Sequence, residues 1–276
     1  HYPLRRQRQM CIRDRLIQML DKLVAYLERH HLRYYLVGGT LLGAVRHKGF
    51  IPWDDDIDIG MPREDYEKLL QIEQTDPIAA DLKLISDRKG TFTNPFSELI
   101  CTNTRLERKT AEYIREDCSV KQLFIDIIPQ DGWPEDEKKA RKLFQKMKRL
   151  RYVLQCSRAK LGAGTSFTHR IAKIPFILFG RLVGYSCILE RINKIACHYA
   201  YDKSKYVGAV TYGIYGVGER CLREETVEFQ QVEFEGKCYN APGCFEQYLS
   251  QIYGDYMQMP PPEKRTTHRM RVWLMQ

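Results

Sequence analysis

Apolar residues recur along this chain with two different periods. Leu16, Leu20, Leu23 and Leu27 are spaced by three and four, with Ile17 and Val24 beside them. That spacing predicts an amphipathic helix ending near His30-His31. Tyr34-Tyr35-Leu36-Val37 is an apolar run of strand length, and Gly38-Gly39 breaks it. Residues 40–45 then predict a short helix with Thr40 near its start. From about 54 to 60 polar and apolar residues alternate, as in a half-buried strand. Pro62 opens a helix carrying Tyr66, Leu69 and Leu70 on one side. Residues 82–85, 96–102 and 123–128 predict further strands, the last stopped by Pro129. From 135 to about 201 the pattern is mostly helical. Residues 228–235 alternate like a strand again, and 245–252 read as a short helix. This order predicts an α/β (α+β) chain: a core over residues 16–133, a helical region over 134–204, and a C-terminal portion over 205–276 that packs back on the core.

Composition adds detail to that outline. With 276 residues, 43% of them hydrophobic, the chain can bury a sizeable core. No apolar run approaches the length of a spanning helix, and the N-terminus lacks the apolar stretch of a signal peptide. A soluble, cytoplasmic protein is expected. Nine cysteines, an odd number with no C-x-x-C, suit reduced thiols better than a disulfide framework. The formal charge of +9 is unevenly placed. Residues 1–15 hold five arginines and one aspartate. Within them, Met10-Cys11-Ile12-Arg13-Asp14-Arg15 resembles the translated end of a sequencing adapter, so 1–15 are set aside as a non-native N-terminal scar. Residues 138–189 contain thirteen Lys or Arg and no Asp or Glu. Such a run is either a solvated helix face or a surface for an anionic partner. Nucleic acid is not expected there, because Tyr152 is nearly alone among the basic residues and stacking platforms are missing. The apolar run at 174–179 followed by Leu182-Val183 is too short and broken to span a bilayer. It suits a peripheral contact with an anionic membrane face, at the inner side of the membrane.

The chemistry concentrates in Trp53-Asp54-Asp55-Asp56-Ile57-Asp58-Ile59. On a strand, Asp54, Asp56 and Asp58 share one face while Asp55, Ile57 and Ile59 share the other. Three converging carboxylates repel one another unless a cation offsets them, and Mg²⁺ (or Mn²⁺) with substrate phosphate is the natural occupant. A calcium loop of EF-hand type fails, since its sixth position is Ile59 and its twelfth Asp65. Gly38-Gly39-Thr40, between a strand and a helix, would let a phosphate approach the backbone at a helix N-terminus. Arg46, His47 and Lys48 could bind a donor diphosphate or be surface charges. Phe124-Ile125-Asp126-Ile127-Ile128 places one acid in an apolar strand. Such an acid needs a metal or an arginine.

The order strand, Gly-Gly, short helix, Asp-x-Asp and a third acid on a later strand resembles the nucleotidyltransferase fold. Residues 35–59, from Tyr35-Leu36-Val37-Gly38-Gly39-Thr40 through Trp53-Asp54-Asp55-Asp56-Ile57-Asp58-Ile59, resemble the signature of the LicD family. Phe124 to Pro134, with Asp126 and Asp131, resembles its second motif. Phe234-Glu235-Gly236, Ala241-Pro242, Tyr253-Gly254-Asp255-Tyr256 and Pro260 to His268 resemble its closing elements. The resemblance implies a nucleotidyltransferase-like mixed sheet and a phosphotransferase. Such an enzyme moves a phosphorylated alcohol, phosphocholine- or ribitol-phosphate-like, from a CDP-activated donor to a sugar hydroxyl of a cell-surface glycan or lipid-linked glycan, as in lipopolysaccharide or teichoic acid biosynthesis. CMP would leave. Asp56 and Asp58 would hold Mg²⁺ on the donor diphosphate, and Asp126 would complete the metal site or activate the acceptor hydroxyl. Asp54, Asp131 and His268 also match family positions. The alternative on the same fold is transfer of NMP from an NTP to a small molecule or RNA.

Overall fold

The computed structural model describes residues 2–107, 113–163, 167–265, 267 and 270–275. Helix α1 (Tyr2–Arg29) carries the leucine stripe. Leu16, Leu20, Leu23 and Leu27 are all fully buried in the main core, each contributing about 1.5–3 kcal/mol of burial. The helix is continuous through residue 15. Ile12 joins the same core, Arg15 pairs with Asp81 at 2.5 Å, and the Arg13 guanidinium donates to the carbonyls of Ile51, Pro52 and Asp54.

The central sheet is built from β1 (Tyr35–Leu36), β2 (Asp58–Pro62), β3 (Leu82–Ser86), β4 (Ser97–Cys101) and β6 (Leu123–Trp133), in the order β1-β2-β6-β4-β3. β2 and β6 run parallel, and the other neighbours are antiparallel. The fold is therefore a mixed-sheet α+β fold. Helix α2 (Gly38–His47) joins β1 to β2, and α3 (Arg63–Ile72) follows β2. Ile57, Ile59, Leu99, Ile125 and Ile127 are buried in one core with α1, so one side of the strands is apolar, as alternation requires.

Two strand bounds differ from expectation. The alternation at 54–60 predicts a strand from Asp54, yet regular pairing starts at Asp58. The preceding turn spends its carbonyls on Arg13 instead of on a ladder. Pro129 does not end β6. It pairs with Met61 of β2, past the last residue facing β4 and before the first facing β7 (Tyr206–Gly208). A missing N–H is tolerated in that gap.

Helices α4 (Glu137–Arg158), α5 (Phe167–Val183) and α6 (Tyr185–Ala196) form the helical region, with a second core around Trp133, Met147, Leu154 and Ile192. After β7 come β8 (Cys221–Leu222), α7 (Arg223–Thr226), the hairpin β9 (Gln230–Phe234) and β10 (Lys237–Ala241), and α8 (Phe245–Tyr253). Val232, Phe234, Tyr239 and Leu249 return to the main core. β11 (Arg271–Leu274) pairs antiparallel with β5 (Thr104–Glu107), which gives the chain's last residues a place the sequence pattern did not suggest. Among the described residues no single helix is long and apolar enough to cross a membrane.

Candidate active site

The register of the sheet assembles the acids. Asp58 on β2 is the pairing partner of Asp126 on β6, and Asp126 is the partner of Glu98 on β4. Partners on adjacent strands point to the same face, so three neighbouring strands bring three carboxylates to one level of the sheet. Asp56 lies two residues before Asp58 in the stretch ahead of β2, half-buried like Asp54 and Asp58. Asp55, by contrast, is 2% exposed. Glu98 was not among the residues singled out from sequence. Its signal was available, because Glu98 is followed by Leu99-Ile100-Cys101, an acid beside an apolar run much as Asp126 sits among Phe124, Ile125, Ile127 and Ile128.

The glycine pair is shaped to these acids. Gly38 has φ +56°, and a Cβ there would stand 3.4 Å from Asp58 Oδ2; a Cβ on Gly39 would come within 2.7 Å of Asp54 Oδ2. A side chain at Gly39 would push the Asp54 carboxylate aside, and at Gly38 the left-handed backbone is what favours glycine. The N-terminus of α2 therefore faces Asp54 and Asp58, where its partial positive charge favours them. Thr40 is buried, and its hydroxyl accepts the Asp58 backbone N–H at 2.8 Å. Thr40 thus positions Asp58. The Tyr248 hydroxyl accepts the Gly38 N–H at 3.3 Å.

A tyrosine-rich loop adds to the site. Val210 and Thr211 present their carbonyls to Arg151 of α4, and Tyr215 donates its N–H to Glu219 at 2.6 Å. Between these braces stand Tyr212 and Tyr215, both more than a third exposed. Tyr215 meets Tyr253 of α8 edge to face, with ring centroids 5.3 Å apart and hydroxyls 3.3 Å apart. Loss of hydration at the hydroxyl raises the Tyr212 pKa, and the charges of Asp126 and Asp58 raise it further. Burial likewise raises Tyr215 and Tyr253, with Asp58 among the nearby charges acting on both. These tyrosines lie far from the Asp-x-Asp run in sequence, and no periodicity marks them.

The LicD/FKTN/FKRP nucleotidyltransferase-domain family model matches residues 31–141, a stretch that holds β1 through β6 and all of these acids. The lipopolysaccharide cholinephosphotransferase LicD of Haemophilus influenzae is 28% identical over 97% of this chain and 96% of its own length. The ribitol 5-phosphate transferase FKRP of Homo sapiens is 54% identical over 80 residues, 29% of this chain and 15% of its own length. Residues 31–141 thus match the LicD-type nucleotidyltransferase domain, and the similarity to the Haemophilus influenzae protein runs over nearly the whole chain. An uncharacterized protein of Rickettsia prowazekii is 47% identical over 120 residues, 44% of this chain and 40% of its own length. The chain is thus a LicD-like phosphotransferase.

Other residues of the LicD-like motifs do different work. Arg46, His47 and Lys48 sit at the far end of α2 from the glycine pair, about 12 Å along the axis. Arg46 donates to the carbonyl of Tyr256 at 2.7 Å and to the His47 ring at 3.0 Å. Burial lowers the pKa of Arg46 and of His47, and the Arg46 charge lowers His47 further. Asp131 is fully buried and takes both guanidinium arms of Arg63, at 2.7 and 2.9 Å. It is a structural clamp between α3 and β6, apart from the acid cluster. Glu235 of the Phe-Glu-Gly motif accepts the Phe50 N–H at 3.0 Å and fastens the loop that leads to the acids. His268 lies outside the described residues.

Among the described residues, no three Asp, Glu, His or Cys side chains already converge as a closed metal cage. Mg²⁺ does not require one, since it binds one or two carboxylates and completes its shell with water and substrate phosphate. The hard oxygen donors of Asp56, Asp58 and Asp126, with Glu98 in register and the Cβ-less cradle at Gly38-Gly39 beside them, fit such an ion.

Proposed function

We propose that this LicD-like enzyme transfers a phosphorylated alcohol, phosphocholine- or ribitol-phosphate-like, from a CDP-activated donor to a sugar hydroxyl of a glycan, on a nucleotidyltransferase-like fold. The observation that carries this reading is the strand register that lines up Asp58, Asp126 and Glu98. The relatives named for cholinephosphate and ribitol-phosphate transfer support it. Asp56, Asp58 and Asp126 would hold Mg²⁺ or Mn²⁺. When bound, such an ion neutralises charge on the transferring phosphoryl group.

The chain's own residues supply the rest. The α2 N-terminus at Gly38-Gly39 attracts the donor phosphates. Thr40 fixes the Asp58 backbone. The acceptor oxygen attacks the phosphorus that bears the alcohol, the bond from that phosphorus to the CMP oxygen breaks, and CMP leaves. The acceptor proton passes to a carboxylate of the cluster, Asp126 or its neighbour Glu98. A lipid-linked glycan acceptor, met at the inner face of a membrane, belongs to the same reading.

Incubation with a panel of CDP-alcohols and Mg²⁺ or Mn²⁺ tests it. CMP release with a phosphodiester product is expected. Pyrophosphate release from CTP or ATP with a nucleotidylated acceptor would make this a true nucleotidyltransferase instead.

A further inference from the structure

Helix α5 is turned the wrong way for a helix of a water-soluble surface. Its side toward α4 holds the fully buried Ile177 and Gly180, where a Cβ would come within 2.8 Å of the Ser157 backbone nitrogen. Its outward side is apolar. Ile171, Ile174, Leu178, Phe179 and Leu182 fall in one stripe about 140° wide at 100° per residue, and Leu182 is 86% exposed. Phe176, also exposed, extends the patch to Tyr152 of α4, with rings 5.7 Å apart. An apolar stripe of this size facing water marks an interaction surface.

The surrounding charge identifies the partner. Residues 138–189 hold thirteen Lys or Arg and no acid. Lys148 lies one turn before Tyr152 on the same exposed face of α4, with Arg149 beside it. The groove of about 780 Å³ between α4 and α6 is lined by Lys139, Lys142, Lys146, Arg191 and Lys194, with Glu190 as its one acid. A second copy meeting this face through a two-fold axis would set one strongly basic surface against another. An anionic lipid leaflet supplies both what the stripe and the cations lack: acyl chains and negative head groups.

We propose that α5 lies in the interface of an anionic membrane, its outward stripe inserted among the acyl chains and the lysines and arginines of α4 at the head groups. The inference deepens the reading of the acceptor as a lipid-linked glycan, and it is tested without turnover. The full chain should co-sediment with phosphatidylcholine vesicles containing phosphatidylglycerol, and poorly with phosphatidylcholine alone. Raised salt should weaken binding by about fivefold for each cation engaged. Phe179→Ser with Leu182→Ser should weaken it at least about tenfold while the melting temperature stays unchanged, and Leu182→Trp should show a blue-shifted emission on binding.

No binding to anionic vesicles at low salt overturns the proposal. So does unchanged binding by the double variant, and so does resistance to alkaline carbonate extraction, which would mean a spanning segment. Self-association abolished by the same substitutions, without vesicle binding, would make the face a dimer contact instead. Should vesicles bind while no CDP-alcohol is consumed, the proposed chemistry fails and this surface stands.

Discussion

The central sheet and the helical region each depart from the usual partition of polar and apolar groups, in opposite senses. In the sheet, Asp58, Asp126 and Glu98 are gathered on adjacent strands, where like charges cost stability. In α5, large apolar side chains face outward, where the hydrophobic effect would hide them. The sheet gathers negative charge, and residues 138–189 of the helical region carry none. Each departure is a cost that a ligand of complementary character would offset: a cation and phosphate in one, a lipid surface in the other. Departures from the packing rules are thus a better guide to function here than the packing itself.

The comparison can be broken at several points. The largest effect is expected at an acid that the sheet satisfies internally. Asp131→Ala leaves the Arg63 guanidinium buried without its bidentate partner and should cost about 3–5 kcal/mol in urea unfolding. A loss below about 1 kcal/mol would remove the contrast between structural and functional acids. Asp58→Asn and Asp126→Asn should do the reverse, slowing transfer by at least about a hundredfold. Their melting temperatures should hold or rise, because repulsion is relieved. Near-normal turnover with saturating Mg²⁺ in either variant would sink the site.

The smallest effect is expected at Glu219, which braces the tyrosine loop between the two regions. Burial raises its pKa from 4.5 to about 7, against the backbone N–H groups of Tyr215 and Ile214 and the Arg151 charge, which lower it. Between those two pH values the folded chain holds a proton that the unfolded chain has released. The stability contributed by the neutral carboxyl is full below about 4.5 and is lost as pH rises through about 7. Glu219→Gln should flatten that fall, which amounts to roughly 1–3 kcal/mol. Equal pH slopes for the two proteins in thermal unfolding would show that Glu219 does not titrate in this range.

Much of this was legible in the chain. The leucine spacing placed α1, and alternation put Ile57 and Ile59 in the core. The lone acid in an apolar strand picked out Asp126. Where the reading erred, a long-range partner had changed the local outcome. Arg13 takes the carbonyls of Ile51, Pro52 and Asp54 away from a ladder, and Pro129 falls in a gap between two pairings of β6. Asp131 stood beside Asp126 in the same motif, yet its environment is a buried guanidinium. Nothing near Asp131 in sequence names that guanidinium as its partner.

Residue types and their short-range periods determined, without any coordinates, the main elements, the acid-bearing strands, the glycine pair and the acid-free basic run, because each rests on neighbours within a turn or a pleat. Register belonged to the tertiary structure alone. Glu98 joins Asp126, Tyr212 and Tyr215 stand near the acids, and α5 turns its apolar side outward only once strands and helices have found partners tens of residues away. The free energy that selects those pairings is spread over whole cores and is not written in any single stretch of sequence.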